Sequence, residues 1–362
     1  MISRKLICLL PSFKNNLGHE ISFVDTLSLL AKQNNLNIYF IVSTISEITN
    51  LDNLKKIIFT ESYSIRSELY NIYLNIKSFI NFFKIYDIKK KDSFYIDGYS
   101  FYFLFSYLIS CFFLKQTFNI FIYCRYNFDS KKKILFKIFI NLLKFKKISL
   151  YILTDNYPLY LILKEDFKVK ILLMPIPHTF KFKSLEHKKL NNNKNINLLC
   201  PGQYREEKFG TNFNNFLYKN NSKFINVVIN KDYKKKSDLN INFKKFGSNL
   251  NMREYKKLIM AADLILLPYE KTLYEFRTSG IFFEAITLQK RVMVTSGTWM
   301  ADEFIKYDLK DLVVKDWAHF DIFINMKNIF SSNVDKNISR MRMQYLKKHN
   351  KNNFIKILEK YI

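Results

Sequence analysis

Glycine and proline are scarce in this chain, whose 362 residues include 7 glycines and 6 prolines. Several of the glycines stand where an apolar run ends, as expected where the backbone needs a positive φ or where a ligand approaches the main chain. The sequence contains no G-x-x-x-x-G-K-S/T loop, no G-x-G-x-x-G fingerprint and no G-x-S-x-G elbow. These absences argue against P-loop kinases, dehydrogenases with the dinucleotide fingerprint and serine hydrolases with the nucleophile elbow.

Cysteine is also rare, and Cys8, Cys111, Cys124 and Cys200 all lie in apolar runs. None belongs to a C-x-x-C pair, and no histidine stands at metal-ligand spacing from them. We therefore expect buried, reduced thiols, which favour a cytoplasmic protein. No Asp-x-Asp motif stands out, so no metal is expected, and residues 1–11 are too short a run for a secretory signal.

Acidic residues are outnumbered by basic ones, 31 against 58, which gives a formal net charge of +27. Such a charge suits a nucleic acid or an anionic membrane as a partner. The charge is rich in lysine and diffuse, and no helix-turn-helix, zinc knuckle or RNP-like strand is present, so nucleic acid is not expected. Hydrophobic residues make up 48% of the chain, and its length suits two domains with separate cores.

Short apolar runs alternate with helical stretches along the chain. The first series of predicted strands covers residues 5–10, 37–43, 57–60, 93–97, 118–125, 149–154 and 169–175. The second series covers residues 196–200, 224–230, 241–246, 264–267, 292–295 and 312–314. This alternation predicts parallel α/β sheets. We predict a Rossmann-like domain at 1–180, a linker at 181–195, a second Rossmann-like domain at 196–340 and a C-terminal helix at 341–362 that can pack back on the first domain.

The segment of residues 263–297 is the most informative part of the sequence. An apolar strand ends at Pro268, a polar loop leads to Ser279 and Gly280, and an apolar helix follows with Glu284 about one turn inside it. Strand, loop, helix and strand form a βαβ unit. The N-terminus of its helix favours an anion because free N–H groups and the positive end of the dipole lie there. The nearby carboxylate can accept hydrogen bonds from sugar hydroxyls, so the segment predicts a nucleotide site.

This segment resembles the donor-binding region of retaining GT-B glycosyltransferases of family four. The matching residues are Pro268, Ser279, Gly280, Glu284, Ala285 and Arg291. The resemblance implies an α/β fold of two Rossmann-like domains that face a cleft, the GT-B architecture, with the acceptor on the first domain and the donor on the second. It implies further that Ser279 and Gly280 contact the distal phosphate of a nucleotide-sugar and that Glu284 holds its ribose.

The sequence departs from the family pattern at one position. Many members have a second glutamate eight residues before the helix glutamate, where this chain has Phe276, with Glu275 beside it. Tyr274 and Arg277 fit instead a subgroup that reads roughly Tyr-x-x-Arg-x-Ser-Gly. The resemblance therefore adds Arg277 to the expected donor-binding residues.

A second stretch of the same resemblance follows the predicted strand at 196–200. Gly202, Arg205 and Lys208 match a glycine, an arginine and a lysine of the family, which implies that both cations contact the donor diphosphate. Fixed cations stabilise a departing diphosphate, so Arg205 and Lys208 would serve catalysis. The residues alone also allow a solvated loop in which these cations pair with Glu206 and Glu207.

Polar side chains stand at the ends of several predicted strands in the first domain. His19 follows the first strand, and the resemblance implies that it contacts the donor or acceptor sugar during catalysis. Asp97, Arg125 and Asp155 end three further strands and are candidates for the acceptor site. Asp97 and Asp155 could equally cap the helices that follow them.

Residues 130–147 combine seven lysines with a strongly apolar run. On a helix, Lys133, Lys137 and Lys144 line one side. The other side holds Leu135, Phe136, Phe139, Leu142 and Leu143. The pattern is typical of an interfacial helix on an anionic membrane, and equally of a core helix with a solvated lysine edge.

Together the motif and the resemblance predict a glycosyltransferase of the hexosyltransferase type. It would move a sugar from a nucleoside diphosphate sugar to a glycan or lipid-linked acceptor in cell-surface polysaccharide or lipopolysaccharide assembly. We expect it in the cytoplasm, peripheral on the inner face of the cytoplasmic membrane, without a cofactor, and the resemblance implies retention of configuration. Two alternatives stay open: another GT-B enzyme such as a nucleotide-sugar epimerase, and a non-catalytic basic protein that binds membranes or nucleic acids.

Overall fold

The computed structural model describes residues 4–13, 20–48, 51, 53–57, 68–177, 195–234, 238–247 and 250–362. The chain forms two compact units. The first comprises Met1–Pro177 and Lys351–Ile362, and the second comprises His178–Asn350. The predicted linker at 181–195 lies outside the described residues except for Asn195, and so do Gly18 and His19.

The described part of the first unit contains a seven-stranded sheet. Its strands are β1 (Lys5–Leu9), β2 (Asn37–Ser43), β3 (Leu54–Ile57), β4 (Ser93–Ile96), β5 (Asn119–Tyr123), β6 (Ser149–Thr154) and β7 (Lys170–Leu173). They lie in the order β3-β2-β1-β4-β5-β6-β7. Every neighbouring pair is parallel. The alternation of apolar runs and helices therefore predicted the sheet type correctly.

The edge strand β3 differs from its prediction. The sequence places a strand at 57–60, whereas the observed strand ends at Ile57 and residues 58–60 lie outside the described part. Lys55 and Lys56 of this strand are exposed. An edge strand tolerates lysine because one of its sides has no neighbouring strand. The continuous apolar run that marks buried strands is therefore missing here.

Helices follow most strands of this sheet: α1 (Glu20–Gln33), α2 (Glu68–Tyr86), α3 (Phe101–Ser110), α4 (Ser130–Phe145) and α5 (Tyr157–Asp166). Ser100, Asp129 and Asn156 begin α3, α4 and α5, and each side chain accepts a hydrogen bond from a first-turn N–H. Such caps fix where each helix starts after its strand. Within the described ranges, no helix is both long and apolar enough to cross a bilayer.

Helix α4 buries one face and exposes apolar residues on another. Phe136, Phe139 and Leu143 are buried, as expected for the side away from the lysines. Leu135 and Leu142, which the sequence assigns to the same side, are exposed by 39% and 43%, so only part of that side is buried. Apolar residues occur around more than half of this helix, and a single packing surface covers only one stripe of it.

The cysteines Cys8, Cys111, Cys124 and Cys200 are buried free thiols, as their apolar surroundings predicted. Burial raises the pKa of Cys111, Cys124 and Cys200 to about 12. Thiols that resist ionisation in this way act as small core side chains rather than as nucleophiles.

The second unit contains a six-stranded sheet in its described part. Its strands are β8 (Ile196–Cys200), β9 (Ile225–Asn230), β10 (Asn242–Phe246), β11 (Leu264–Leu267), β12 (Val292–Thr295) and β13 (Val313–Val314). They lie in the order β10-β9-β8-β11-β12-β13, and all pairs are parallel. Both units therefore show the predicted parallel α/β architecture.

The strand order reverses at the same place in both sheets. The first strand of each sheet lies in the middle, so β1 has β2 and β4 as neighbours, and β8 has β9 and β11. The connections leave on opposite faces at this point and open a crevice at the carboxyl ends of the strands, where ligands of such sheets bind. The residues that follow β1, β4, β8 and β11 are therefore the first candidates for function.

The helices of the second unit are α6 (Glu206–Phe209), α7 (Asn212–Lys219), α8 (Met252–Ala261), α9 (Lys271–Tyr274), α10 (Gly280–Thr287), α11 (Trp299–Ile305), α12 (Ile322–Ile329) and α13 (Ser332–Lys348). Helix α13 continues through residue 340, where the sequence places the end of the second domain. The last helix, α14 (Lys351–Leu358), belongs to the first unit.

Helix α14 packs on α1 of the first unit. The ring of Phe354 meets the ring of Phe23 edge-on, with 5.8 Å between centroids. Lys351 pairs with Asp25 at 3.3 Å on the same side of the helix. Both aromatic rings are buried in the core cluster that also contains Tyr123 of the central sheet. Residues 351–358 therefore complete the core of a unit whose other elements lie far earlier in the chain.

Candidate functional site

The loop after β8 touches the first turn of α10. Gly202 has a φ of +83°, and a Cβ atom built there would lie 2.7 Å from Cδ1 of Ile281 and 4.0 Å from Nζ of Lys208. A side chain at this position would therefore strain the backbone and displace the end of the Ile281 side chain. The close approach places Gly202, Lys208 and the N-terminus of α10 together at the point where the strand order reverses.

Lys208 is a buried lysine at this point, with 7% of its surface exposed. Its ammonium group lies 4.1 Å from the centroid of the Tyr269 ring and 5.5 Å from that of Phe209. Among the side chains that the structure describes, none is a carboxylate paired with it, although the side chain of Glu207 lies outside that set. Burial lowers the pKa of Lys208 to about 7. Its described surroundings are thus aromatic and cationic, unlike those of a lysine on a solvated loop.

Two further cations lie close to Lys208. The positive charges of Arg205 and Arg277 each lower the pKa of Lys208, in addition to the effect of burial. Both arginines are exposed, and the guanidinium of Arg277 lies 5.7 Å from the centroid of the Tyr274 ring. Like charges held close together favour an anion between them. The structure therefore brings together the three cations that the sequence singled out in this unit.

The N-terminus of α10 carries the predicted Ser-Gly pair. Ser279 is the N-cap, and its hydroxyl accepts a hydrogen bond of 3.3 Å from the N–H of Phe282. Gly280 is the first residue of the helix. First-turn N–H groups have no acceptor within a helix, and the positive end of the helix dipole lies at the same place. An anion held by the three cations would meet this end of α10.

Glu284 lies in the second turn of α10 and is largely buried, with 9% of its surface exposed. The hydroxyl of Tyr255, on α8, donates a hydrogen bond of 2.7 Å to Oε2 of this carboxylate. Burial raises the pKa of Glu284 to about 7, while the hydrogen bond from Tyr255 acts in the lowering direction. Glu284 therefore changes charge near neutral pH. The sequence did not single out Tyr255.

The structure also shows a link between two loops that the sequence did not predict. Gly210 ends α6 with a φ of +51°, and a Cβ atom there would lie 1.8 Å from Oε1 of Glu270. The main-chain N–H of Glu270 donates a hydrogen bond of 2.9 Å to the carbonyl oxygen of Lys208. The loop after β11 therefore holds the main chain of Lys208 in place. The sequence signal for this contact was Gly210 itself, because glycine is scarce in the chain and this one ends the four-residue helix α6.

Arg291 matches the family motif, but the structure does not bring it to this site. It precedes β12, at the amino edge of the sheet, and its guanidinium pairs with Asp335 on α13 at 2.6 Å. The same guanidinium lies 4.8 Å from the centroid of the Phe330 ring. Arg291 therefore fastens a helix to the sheet.

In the first unit, the three predicted acceptor-side residues converge. The guanidinium of Arg125 contacts both oxygens of Asp97, at 3.0 Å from Nε and 2.7 Å from Nη2. Its Nη1 lies 3.5 Å from Oδ2 of Asp155. Ser100 and Asn156 cap the helices that follow, so neither aspartate acts as a cap. The capping interpretation is wrong, and the convergence follows because parallel strands end at one edge of a sheet.

A small cavity of about 20 Å³ adjoins this group where β1 and β4 end, lined by residues that include Ser12, Phe13, Asp97 and Gly98. Gly98 has a φ of +62°, and a Cβ atom there would lie 1.9 Å from Oγ of Ser12. The volume suits about one water molecule, so the cavity is too small to hold a complete ligand. His19 lies outside the described residues, so its predicted place by a sugar is not part of this geometry.

The described residues contain no group of three or more histidine, cysteine, aspartate or glutamate side chains placed to hold a metal ion. Arg205, Lys208 and Arg277 contribute positive charge at the carboxyl edge of the second sheet.

No protein-family model matches the sequence, and no curated protein matches it either. Solved structures do match over almost the full length. A glycosyltransferase from Rickettsia africae is 12% identical, with 100% of this chain and 98% of that chain covered and a TM-score of 0.65. Anabaena HepE in complex with UDP-glucose is 10% identical, with 98% of each chain covered and a TM-score of 0.61.

A UDP-N-acetylglucosamine 2-epimerase is similar as well, at 12% identity, with 99% of this chain and 95% of that chain covered and a TM-score of 0.58. At identities this low the likeness concerns the fold. The chain has the GT-B fold of two Rossmann-like domains, as its sequence predicted.

Proposed function

We propose that this protein is a glycosyltransferase that uses a nucleoside diphosphate sugar as donor. The observation that carries the proposal is the group of Arg205, Lys208 and Arg277 beside the N-terminus of α10, at the carboxyl edge of the second sheet. Anabaena HepE, which has the same fold, was solved with UDP-glucose, and this supports a nucleotide-sugar as the ligand.

The positive group suits the chemistry of the departing diphosphate. Sugar transfer breaks the bond between the anomeric carbon and a phosphate oxygen, and negative charge collects on the diphosphate. A buried lysine is unstable as a cation until an anion arrives. A bound diphosphate would raise the pKa of Lys208 above its present value of about 7 and keep it protonated where charge develops. Arg205 and Arg277 would add charge on the exposed side.

Glu284 is our choice for the group that holds the ribose. An ionised carboxylate has about four acceptor positions, and Tyr255 occupies one of them. The remaining positions can accept hydrogen bonds from two ribose hydroxyls. Ser279 and Gly280 would meet the distal phosphate at the start of the same helix, so one helix would hold both ends of the nucleotide.

The acceptor would bind to the first unit beside Asp97, Arg125 and Asp155. The two carboxylates can accept hydrogen bonds from sugar hydroxyls, and the guanidinium between them holds both in place. We propose a glycan or lipid-linked glycan as the acceptor, in the assembly of cell-surface polysaccharide, with retention of configuration as the family resemblance implies.

One experiment separates this function from the others. The purified protein is screened by thermal shift against UDP, GDP, ADP, CMP and TDP, and the matching nucleotide-sugar is then incubated with glycan acceptors and followed by mass spectrometry. A product one sugar longer than the acceptor supports the proposal. An isomeric nucleotide-sugar would make the protein an epimerase, the second candidate that the fold likeness favours. If no nucleotide stabilises the protein, both the glycosyltransferase and the epimerase proposals are contradicted, and the result favours a non-catalytic protein.

For location we propose the inner surface of the cytoplasmic membrane, with α4 as the contact. Ile134, Ile138, Leu142 and Phe145 form a stripe at spacings of three and four residues and are exposed by 61%, 50%, 43% and 90%. Lys137 flanks the stripe on the exposed surface. An exposed apolar stripe with flanking lysines suits the interface of an anionic bilayer.

The contact can be tested by flotation with vesicles that contain phosphatidylglycerol. We expect a variant with Ile138→Asn and Phe145→Asn to lose vesicle binding. Ile85→Asn and Ile324→Asn alter residues exposed to a similar degree, 76% and 78%, and serve as the control. Equal binding by both variants would exclude α4 as the contact.

A further inference from the structure

The first unit has a second concave surface, at the edge of the sheet away from Asp97 and Arg125. This basic pocket is a cavity of about 330 Å³ whose lining includes Arg4, Lys90, Lys91, Lys147 and Lys360. Its walls are the chain segments that enter β1, β4, β5 and β6, together with the segment that follows α14. It therefore lies at the amino ends of parallel strands whose carboxyl ends carry the proposed acceptor residues.

The positive charge of the basic pocket exceeds what its own walls offset, since of its described cations only Arg4 has a partner there, through a hydrogen bond of 3.1 Å from its Nη1 to the main-chain oxygen of Ile362. No aspartate or glutamate belongs to the lining, and none of its lysines forms an ion pair with a described side chain. Asp92, the acid next to Lys91, is buried and accepts hydrogen bonds from the main-chain N–H groups of Lys5 and Lys89. Other lysines of this unit do find partners, as Lys133 does with Asp166 at 2.6 Å. Clustered lysines that lack carboxylate side chains as partners attract an anion from solution.

Two of the lysines occupy backbone positions that do not suit them. Lys91 has a φ of +79° and Lys147 a φ of +57°. Glycine or asparagine adopts such angles more easily than a residue with a long side chain. Both residues follow a turn that leads into a strand, so the unusual backbone sets the direction of each side chain at the mouth of the pocket.

The remaining walls offer hydrogen bonds and aromatic surface. Thr117 and Ser149 contribute hydroxyl groups, and the rings of Tyr151 and Tyr361 lie 5.2 Å apart. The side chain of Asn119 holds the segment after α14 in place through a hydrogen bond of 3.0 Å to the carbonyl oxygen of Tyr361. The pocket is thus shaped by several fixed elements of one unit, and its volume lies at the lower end of the range for small-molecule sites.

We propose that the basic pocket is a binding site for phosphate esters, separate from the proposed donor and acceptor sites. Lysine ammonium groups are strong partners for phosphate oxygens, and the hydroxyls and tyrosine rings can contact the alcohol to which the phosphate is joined. Two sources offer this chemistry: a soluble phosphate ester, and the head group of an anionic phospholipid. The second source is close at hand, because Lys147 follows α4, whose last residue, Phe145, is 90% exposed.

The test uses a variant that removes charge without disturbing the backbone. Lys91→Asn together with Lys147→Asn places at both positions a residue that favours positive φ, so the variant should fold as the parent does. Lys32→Gln together with Lys77→Gln removes the same charge from exposed helix positions of the same unit and serves as the control. Glycerol 3-phosphate is the soluble probe, and its dissociation constant is measured by calorimetry at two salt concentrations.

We expect the pocket variant to bind glycerol 3-phosphate about tenfold more weakly, with the control unchanged and the parent weakened by salt. The second arm measures sedimentation with phosphatidylcholine vesicles that contain phosphatidylglycerol. Loss of vesicle binding in the pocket variant alone identifies the lipid head group as the source; loss of the soluble probe alone identifies a soluble ester. Equal behaviour of the two variants in both arms overturns the proposal. The nucleotide thermal shift should be the same in all three proteins, which separates this site from the donor site.

Discussion

Tyr255 and Glu284 join two helices through one hydrogen bond of 2.7 Å in the interior of the second unit. Burial pushes the pKa of the carboxyl group up to about 7, and the phenolic donor counteracts that push. The charge of Glu284 near neutral pH therefore depends on a residue from α8, outside the motif that identified the glutamate. The proposed ribose contact needs the ionised form, so this pair sets the pH range in which the donor site is complete.

The substitution Tyr255→Phe should raise the pKa of Glu284 further, because it removes the hydrogen bond that favours the carboxylate. We expect nucleotide affinity at pH 7 to fall by about 1 kcal/mol and to recover as the pH rises, since Glu284 ionises there. Calorimetric titrations with the nucleotide between pH 6 and pH 9 measure the midpoint. Tyr73→Phe alters a tyrosine that is 59% exposed and is the control. A midpoint shared by Tyr255→Phe and the parent would refute the coupling.

The substitution Glu284→Gln should have opposite effects on stability and on binding. The folded pKa of about 7 exceeds the value of 4.5 for an unperturbed group, so its contribution to stability is present below pH 4.5 and is lost as the pH rises through 7. Glutamine stays neutral, so the parent loses this stability with rising pH and the variant does not. From pH 5 to pH 8 the free energy of unfolding of the variant, relative to that of the parent, should therefore rise by on the order of 2 kcal/mol. Nucleotide affinity should fall by about 1–3 kcal/mol. Urea unfolding at the two pH values decides the first point, and an unchanged stability difference would argue against a buried carboxylate.

Lys208→Met should stabilise the protein at neutral pH and slow sugar transfer. The pKa of Lys208 falls from 10.5 to about 7 on folding, so the stability from this group is present above pH 10.5 and is lost as the pH falls through 7. Methionine keeps the packing against Tyr269 without charge, and we expect a gain on the order of 2 kcal/mol at pH 7 that vanishes near pH 10. The rate of transfer should fall by about 10²–10³-fold.

The control for this substitution is Lys327→Met, which removes an exposed lysine of α12. Thermal unfolding at pH 7 and pH 10 and a transfer assay with saturating donor measure the two effects. A variant at Lys208 that is no more stable than its control at pH 7 would show that the ammonium group already has a counter-charge in the folded protein.

Phe354→Ala should destabilise the first unit by about 3–5 kcal/mol, because it leaves a cavity against Phe23 in a closed core. Lys356→Ala changes an exposed residue of the same helix and should stay within about 0.5 kcal/mol of the parent. Urea unfolding of both variants provides the measurement. A small effect of Phe354→Ala would mean that α14 contributes little to the core of this unit.

Much of the fold followed from the sequence because buried parallel strands appear as continuous apolar runs. The sequence alone also placed Asp97, Arg125 and Asp155 at one edge of the sheet, since the carboxyl ends of parallel strands meet there. It placed β3 too late in the chain, at 57–60, because Lys55 and Lys56 interrupt the apolar run on this edge strand. It did not reveal that Leu135 and Leu142 are exposed, because an apolar helix does not show which of its stripes is covered.

The partners of the site residues were beyond sequence reasoning for a different reason. Tyr255 reaches Glu284 from a separate helix, and Glu270 lies against Gly210 across two loops. Neither pair has a fixed spacing in the chain, so no local pattern marks it. Arg291 shows that a match to the family pattern does not by itself mark a site residue, because its guanidinium pairs with Asp335.

The return of α14 to the first unit has a consequence for the newly made chain. As the polypeptide leaves the ribosome, the strands and helices up to Pro177 appear first, yet the surface around Phe23 stays uncovered until residues 351–358 emerge. All of the second unit is synthesised in that interval. The first unit therefore begins to form before the second but completes its core after it. A nascent chain that lacks residues 351–358 would expose to solvent, or to a chaperone, an apolar surface that α14 covers in the folded protein.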